Sequence, residues 1–555
     1  MNEKKRTKPT YYAALISVMV LLVYGVWRPH IYSGDDLRYV RVIEQAVTGE
    51  AIYDPVGSVF YDLQSGGPKA DSQTTGIPIT PRYLFEWPTS FLVVKLWASL
   101  GWRGDVIVPI QTLRILVSAL GAFFFFLAIQ TLCDDTLIAS ISSIGLSTSY
   151  AYWTFGSHLD YTINVTALVC LALYLLVQQY RSGGSRNNFL LLVVLVAATF
   201  YSWTAGITAF VFSLAVASWH PDQRIGAKIK QFVRFCAIYG TLVVVITALV
   251  IAVWVSPSNL IGSDYWKSAT FAGHVEYNVD VFGDILRAVL TFARGQVVSP
   301  GPGSFRGFHW LITILMSTPL GILLLRRRQL EPKIRAWTIL VVVWLVSCGV
   351  FVWFWSLYVK FVTVPLVAWW TMVALTLEHL KLNRRSWYRL ATVSVLIFIT
   401  LTSFVNLTIK VLPQSDEQSN EWLSIARSLR QSEPNALFVS PVYRHPISIA
   451  SKYPPASGHP LGFYIVYFAR RNVISAHHVY LNNGDGQIVR QVVAAHVERH
   501  RDAGGQVYVY GIDSLSDDDR RKFLELLDGR QLETAWSFPQ LVIYKVIPDS
   551  GDTDE

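Results

Sequence analysis

Charge is scarce in this 555-residue chain: Asp, Glu, Lys and Arg together make up 15% of it, against 52% hydrophobic residues and 14% aromatics. Soluble domains carry about 25% charged residues. A water-soluble enzyme is therefore excluded and a polytopic α-helical membrane protein is expected, in line with a mean hydropathy of +0.36. Cysteine is nearly missing too. The four present, Cys133, Cys170, Cys236 and Cys348, lie in or at the ends of apolar segments, and the polar C-terminal region has none. No disulfide framework follows, which fits a bacterial or archaeal envelope protein. Internal repeats and low-complexity tracts are absent. So is a glycine-rich phosphate loop after a strand, and no nucleotide site is assigned. The net charge of +9 does not point to nucleic acid, because the basic residues fall mainly in short loops between apolar runs.

A spanning helix needs roughly 20 mostly apolar residues. Candidate runs are 11–28, 108–132, 136–155, 161–180, 188–203, 205–219, 232–255, 307–326, 336–355, 358–380 and 388–410. The 188–219 stretch reads either as one long helix or as two short ones broken near Ser202-Trp203-Thr204-Ala205-Gly206. Charge decides for two. The loops carrying Arg181/Arg186, Arg224/Lys228/Lys230, Arg326–Arg328/Lys333/Arg335 and Lys381/Arg384/Arg385 then share a side with the basic N-terminus, as the positive-inside rule asks. Only the acidic turn Asp134-Asp135 dissents. The first run lacks a small-residue cleavage site and reads as a retained anchor. About eleven spans are thus expected, with a cytoplasmic N-terminus in the plasma (inner) membrane.

Three regions then face outward: a first loop of about 29–107, the 256–306 loop, and a C-terminal α/β domain, 412–555, beyond a membrane part of 1–411. Residues 80–100 read as a membrane-surface or re-entrant helix, polar at its start and rich in interfacial aromatics. In the C-terminal domain helices are expected at 416–431, 485–501 and 515–528, and strands at 436–440, 507–510, 535–538 and 541–546. The tail from Asp549 reads as disordered. Asn164 and Asn406 open glycosylation-type triplets but lie within or against spans, and are discounted.

The feature that asks for an explanation is Ser33-Gly34-Asp35-Asp36-Leu37-Arg38-Tyr39, a few residues past the first span. One reading is helix capping: Ser33 with an acid three residues on resembles a capping box, and acids in a first turn suit the helix dipole. A helix should follow, with Leu37, Val40, Ile43 and Val47 on one face before Gly49. The other reading is general-base chemistry. A carboxylate at the membrane surface takes the proton of an acceptor hydroxyl as its oxygen attacks an activated carbon, assistance worth ~10²–10⁴ in rate. The two readings are compatible.

The order of elements carries a resemblance. An N-terminal span, Gly34-Asp35-Asp36 with Tyr39, a surface helix, and Phe85-Glu86-Trp87-Pro88 before the next span resemble the GT-C glycosyltransferase superfamily, with its Gly-Asp-Glu and Phe-Glu-Lys-Pro elements. The branches most similar are the protein O-mannosyltransferases and the lipid A aminoarabinose transferases. Ser299-Pro300-Gly301-Pro302-Gly303, and Tyr358-Val359-Lys360-Phe361 with Pro365, resemble bacterial members. The resemblance implies a GT-C-like membrane catalytic domain and transfer of a sugar from a polyprenyl-phosphate donor, with inversion, to a hydroxyl of a glycan, lipid or protein acceptor. It makes Asp35 the general base and Asp36 its partner. It also implies a cation for the departing phosphate. Trp87 stands where the family motif has lysine, so Arg82, Arg306 or Lys360 is left to supply that contact. Trp87 reads either as a stacking platform for sugar or isoprenoid or as an interfacial anchor.

His158 and Asp160 lie in a short loop between two spans, where an acid reads as acceptor or metal ligand or as the N-cap of the next helix. Glu86 joins Arg82, Trp87, His158, Asp160, Arg306 and Lys360 as substrate-binding candidates. No cofactor is certain and a divalent metal stays open, since one branch of the superfamily uses one. Three rival functions compete, one of them a non-catalytic scaffold or ligase partner whose C-terminal domain binds envelope polymer. A polyprenyl-diphosphate-glycan ligase or polymerase would share the architecture. A transporter is disfavoured, because few charges fall mid-span and no halves repeat.

Overall fold

The computed structural model describes residues 7–32, 34–48, 85–182, 186–202, 204–218, 224–254, 281–298, 306–355, 359–418, 420–440, 460–475, 493–525 apart from 496 and 499, 527, 531–539 and 541–547. In chain order its helices are α1 Thr7–Val26, α2 Gly34–Thr48, α3 Glu86–Ser99, α4 Ile107–Cys133, α5 Thr136–Thr148, α6 Tyr150–Ser157, α7 Thr162–Ser182, α8 Arg186–Tyr201, α9 Thr204–Ser218, α10 Ile225–Trp254, α11 Val281–Gln296, α12 Arg306–Leu325, α13 Pro332–Trp355, α14 Thr363–Asn383, α15 Arg385–Asn406, α16 Leu412–Ser415, α17 Glu421–Leu429, α18 Pro460–Tyr464 and α19 Asp517–Glu525. The strands are β1 Leu437–Ser440, β2 Asn472–Ser475, β3 Val507–Tyr510, β4 Leu532–Phe538 and β5 Leu541–Val546. Two compact units emerge: one takes the chain up to Pro29 and from Pro78 to Ser415, the other His30–Ile77 and Asp416–Glu555.

The first unit is a helical membrane bundle. Among the described residues eight helical stretches are long and apolar enough to cross a bilayer, and three shorter apolar ones accompany them. The expected runs overlap these, with 136–155 only partly covered. The 188–219 stretch is two helices, α8 and α9. Helix α14 is the axis of the bundle, buried along nearly its whole length. Its Trp370 ring lies against Gly145 of α5, where a Cβ has no room. In the 256–306 region, read as a loop, residues 281–296 form the helix α11.

The run 136–155 departs from expectation. It is not one helix but α5 and α6, broken at Ser149, whose backbone is extended with ψ of 142°. No proline forces the break. Tertiary bonds hold it instead, since a backbone group freed inside a membrane must find a partner. The Tyr24 hydroxyl donates to the Ser147 carbonyl at 2.5 Å. The Asn406 amide donates to the carbonyls of Thr148 and Gln296, each at 3.0 Å, while its oxygen accepts from the Val298 amide at 2.9 Å. Asn406 is fully buried and Asn164 nearly so, which is no setting for a glycosylation site.

The acidic turn that dissented from the charge pattern has its own counter-ions. Asp135 pairs with Lys381 at 2.7 Å and Asp134 faces Arg181 at 3.6 Å, while Lys333 donates to the Leu132 carbonyl. Burial works against the charge on Asp135. The bond from Lys381 and the amides of Ile138 and Leu137 outweigh it and hold the carboxyl below its usual range.

The second unit centres on a five-stranded mixed sheet in the order β2-β1-β3-β5-β4. Strand β1 runs parallel to both β2 and β3, with Leu437 opposite Asn472 on one side and Val507 on the other. Strand β5 is antiparallel to β3 and β4. Leu437, Val439, Ile474, Val507, Val509 and Phe523 form its core. The expected strands at 436–440, 507–510, 535–538 and 541–546 are present, as are helices within 416–431 and 515–528. Strand β2 was not expected from its four residues. The third expected helix, 485–501, and the tail from Asp549 lie wholly or partly outside the described residues. Helix α2, from the first loop, packs in this unit, with Leu37, Val40 and Ile43 fully buried.

Candidate active site

Within the bundle unit several chain reversals gather at one end. The Gln111 side chain near the start of α4 donates to the carbonyl of Pro29, just past α1, at 3.0 Å, and to that of Ser157, at the end of α6, at 3.5 Å. His158 Nε2 lies 3.3 Å from Gln414 Oε1 of α16. The first turns of α7 then organise two polar clusters.

The first cluster is built by Asp160. Its carboxylate accepts from the Thr162 amide at 2.8 Å and from the Thr162 hydroxyl, which fastens the loop to the first residue of α7. The same carboxylate faces Lys360, with Nζ 3.7 Å from Oδ2. That separation exceeds the 2.7–2.9 Å of a charge-assisted hydrogen bond, so the pair is electrostatic rather than a tight contact. The Lys360 ammonium also stands 5.8 Å from the Tyr161 ring centre and 5.5 Å from that of Phe361. It lies in a 3-10 turn, Val359–Val362, directly before α14. Thr363 bonds this turn to α7 through Thr166, hydroxyl to hydroxyl, at 2.8 Å. A cation is thus held among aromatic faces and the Asp160 carboxylate where two chain segments meet.

The second cluster surrounds Glu86, at the first position of α3 and 1% exposed. Its carboxylate accepts from the fully buried Arg114 of α4, from Asn164 of α7 at 3.3 Å and from Ser90 at 3.4 Å. Sequence reading missed Arg114. The signal was present: it is the one charged residue in Ile107–Cys133, and a lone charge inside a span calls for a partner. Asn164 ties this cluster to the helix start that Asp160 binds.

Apolar space adjoins the Lys360 turn. Val362 and Pro365 line a cavity of about 540 Å³ with Phe292 and Ala293 of α11, Met316 of α12 and Trp369 of α14.

Of the residues singled out from the sequence, Asp160 and Lys360 are brought together, with His158 two residues before Asp160. Glu86 is linked to the same helix start through Asn164, and Trp87 is half-buried beside it. Asp35 and Asp36 lie in the first turn of α2, but their side chains fall outside the described residues, as does that of Arg306 at the start of α12 and the whole of Arg82. Among the described residues no group of three His, Cys, Asp or Glu side chains comes together as a metal site.

No protein-family model matches the chain, and no curated protein matches its sequence. Its architecture does match. The crystal structure of ArnT from Cupriavidus metallidurans bound to undecaprenyl phosphate aligns with a TM-score of 0.54 at 12% identity, over 97% of this chain and 98% of that one. This chain has the GT-C fold. The apo form of the same ArnT gives a TM-score of 0.54 at 12% identity over 96% and 97% of the two chains. An oligosaccharyltransferase from Archaeoglobus fulgidus, tethered to an acceptor peptide, is a weaker likeness, with a TM-score of 0.47 at 12% identity over 97% of this chain and 74% of that one. The GT-C fold expected from Gly34-Asp35-Asp36 and Phe85-Glu86-Trp87-Pro88 is the fold observed.

Proposed function

We propose that the chain is an integral membrane glycosyltransferase of GT-C type. In this reading it moves a sugar from a polyprenyl-phosphate donor to an acceptor hydroxyl on the extracytoplasmic face of the plasma membrane, with inversion. The helical bundle is the catalytic membrane part, and the sheet-bearing unit, which includes α2 of the first loop, is the outer domain. The observation that carries the reading is the Lys360 turn: a cation facing Asp160 at 3.7 Å, with Val362 of the same turn and Pro365 of α14 on the wall of an apolar cavity of about 540 Å³. A polyprenyl phosphate has that same pairing of an anionic head and a hydrocarbon tail. The GT-C fold and the undecaprenyl phosphate bound by ArnT support it.

The chemistry then divides as follows. Asp35 removes the acceptor proton as the hydroxyl oxygen attacks the anomeric carbon, and Asp36 tunes it. The bond from that carbon to the phosphate oxygen breaks, and the lipid phosphate leaves with the electron pair. Negative charge grows on the phosphate as it departs, so a fixed cation is worth most in the transition state. Lys360 supplies that cation in place of the lysine that Trp87 replaces, and Arg82 and Arg306 remain candidates for further contacts. Asp160 holds Lys360 in place, with His158 beside it for the acceptor. Glu86 serves by fixing α3, and Trp87 on it, against α4 and α7. The acceptor is a glycan, a lipid or a protein.

The test is chemical analysis of source cells lacking the gene. Polyprenyl-phosphate sugar is expected to accumulate while one envelope glycan loses a sugar. Unchanged levels of both would overturn the reading.

A further inference from the structure

Helix α2 is clasped at both ends by the second unit. At the front, the Tyr464 hydroxyl accepts from the Tyr32 amide at 2.8 Å and lies 3.3 Å from the Tyr32 carbonyl. Asn420 donates to the His30 carbonyl at 2.8 Å and to the Tyr464 hydroxyl at 3.1 Å, while its own oxygen caps α17 through the Leu423 amide at 3.1 Å. At the rear, the Glu44 carboxylate accepts from Arg41 at 2.7 Å and takes a two-pronged contact from Arg470. Glu44 is 7% exposed and Arg41 2%, so these charges have lost much of their water and depend on the cations and carboxylate around them. Between the clasps the apolar face of α2, through Leu37, Val40 and Ile43, is fully buried.

The residue that reaches Glu44 is itself held with unusual effort. Arg470 has φ of 58°, the left-handed region that side-chain-bearing residues seldom occupy. Its guanidinium lies 4.9 Å from the Tyr467 ring centre. The next residue, Arg471, donates to the carbonyls of Arg430 at 2.8 Å, of Ala469 at 3.0 Å and of Ser432. That ties the segment to the C-terminal end of α17. The chain before β2 is thus a rigid strut, and the Arg470 side chain carries it onto α2.

We propose that the C-terminal sheet domain is the carrier of the catalytic acid pair, with Arg470, Glu44, Tyr464 and Asn420 as positioning residues for Asp35 and Asp36. This rests on the assignment of Asp35 as base under the proposed function. Asp35 and Asp36 lie in sequence between the two clasps, three and four residues past Tyr32 and nine and eight before Glu44. The helix that bears them is built into the second unit. A domain to which no nucleotide site is assigned thereby fixes the helix that bears the base. Misplacing a reacting group by about 1 Å costs on the order of 10²-fold in rate, so a loosened clasp should be felt in turnover and little in binding.

The experiment uses full-length protein in lipid nanodiscs, with a detergent extract of membranes from source cells lacking the gene as supply of both donor and acceptor. Arg470→Ala and Tyr464→Phe are compared with Arg470→Lys, with Asp35→Asn alongside. Release of polyprenyl phosphate gives maximal turnover and half-saturating donor. Hydrogen exchange gives the protection of amides 37–48, and thermal melting gives stability. Turnover is expected to fall about tenfold in Arg470→Ala and Tyr464→Phe, with half-saturation and melting temperature little changed and exchange in α2 about tenfold faster. Arg470→Lys should restore most of both. Native turnover in these variants, or a loss that tracks the melting temperature, would overturn the proposal, provided Asp35→Asn is inactive. Full activity in Asp35→Asn would instead overturn the base assignment beneath it.

Discussion

A single buried residue can be checked against a single number. Arg114 and Glu86 form an ion pair with almost no access to water, and removing one partner of such a pair typically costs about 3–5 kcal/mol. Arg114→Ala should therefore lower the melting temperature of the detergent-solubilised protein sharply, while the double change to Arg114→Met and Glu86→Leu recovers a large part. A melting temperature unmoved by Arg114→Ala would mean the pair is not closed as described. Lys360 belongs to the other class of residue, one expected to act on chemistry and not on folding. Loss of a charge stabiliser for a developing anion costs about 10²–10³ in rate. Lys360→Gln should fall within that range with little change in melting temperature, and Lys360→Arg should retain more. Purified turnover with membrane-extracted donor checks both. Lys360 could be found by reading the sequence because it sits at the end of an apolar run and resembles a motif. Arg114 was missed for a physical reason: one charge in a long apolar helix hardly changes the pattern, and its partner lies 28 positions away.

At the level of elements, periodicity and composition reveal what depends on local chemistry. The apolar runs and the helix α2 follow from hydrophobic length or one-sided patterning, and the α8/α9 break from the charge of the flanking loops. The features that escaped are those held by distant contacts. The break at Ser149 relies on Tyr24 and Asn406, 125 and 257 positions away in the chain. Strand β2 is four residues long and acquires its structure only by pairing with β1. Asn406→Leu should show the first dependence directly. It removes three hydrogen bonds from buried backbone groups, each worth about 1–3 kcal/mol when left unsatisfied. A drop in melting temperature of several degrees is expected. An unchanged value would show that the break is held otherwise.

The sheet offers a pH test. The Tyr508 hydroxyl donates to Glu433 at 2.8 Å. Burial opposes the Glu433 charge, but a backbone hydrogen bond, the Tyr508 bond and the nearby Lys545 and Arg471 charges prevail and hold its carboxyl below the ordinary 4.5. A carboxyl whose folded value is lowered stabilises the fold above its unfolded value and loses that contribution as pH falls through the folded one. Stability of the second unit should therefore decline below about pH 4.5. Tyr508→Phe should flatten that decline, as followed by tryptophan fluorescence during melts at stepped pH.

On the scale of the whole molecule, two units divide the work: a helical bundle that gathers a cation, an acid and an apolar cavity at one end, and a sheet domain into which the acid-bearing helix is built. Most of the bundle was legible, because a membrane permits few backbone solutions. The division itself was not. Sequence places α2 in a loop between spans, whereas Tyr464, Asn420 and Arg470 hold it from more than 380 positions away. The most direct measurement of the central claim is release of polyprenyl phosphate from membrane-extracted polyprenyl-phosphate sugars by the purified protein and by Asp35→Asn. Transfer by the native chain and a loss of about 10²-fold or more in the variant are expected. Equal rates in the two, or no release by the native protein when both donor and acceptor are present, would contradict it.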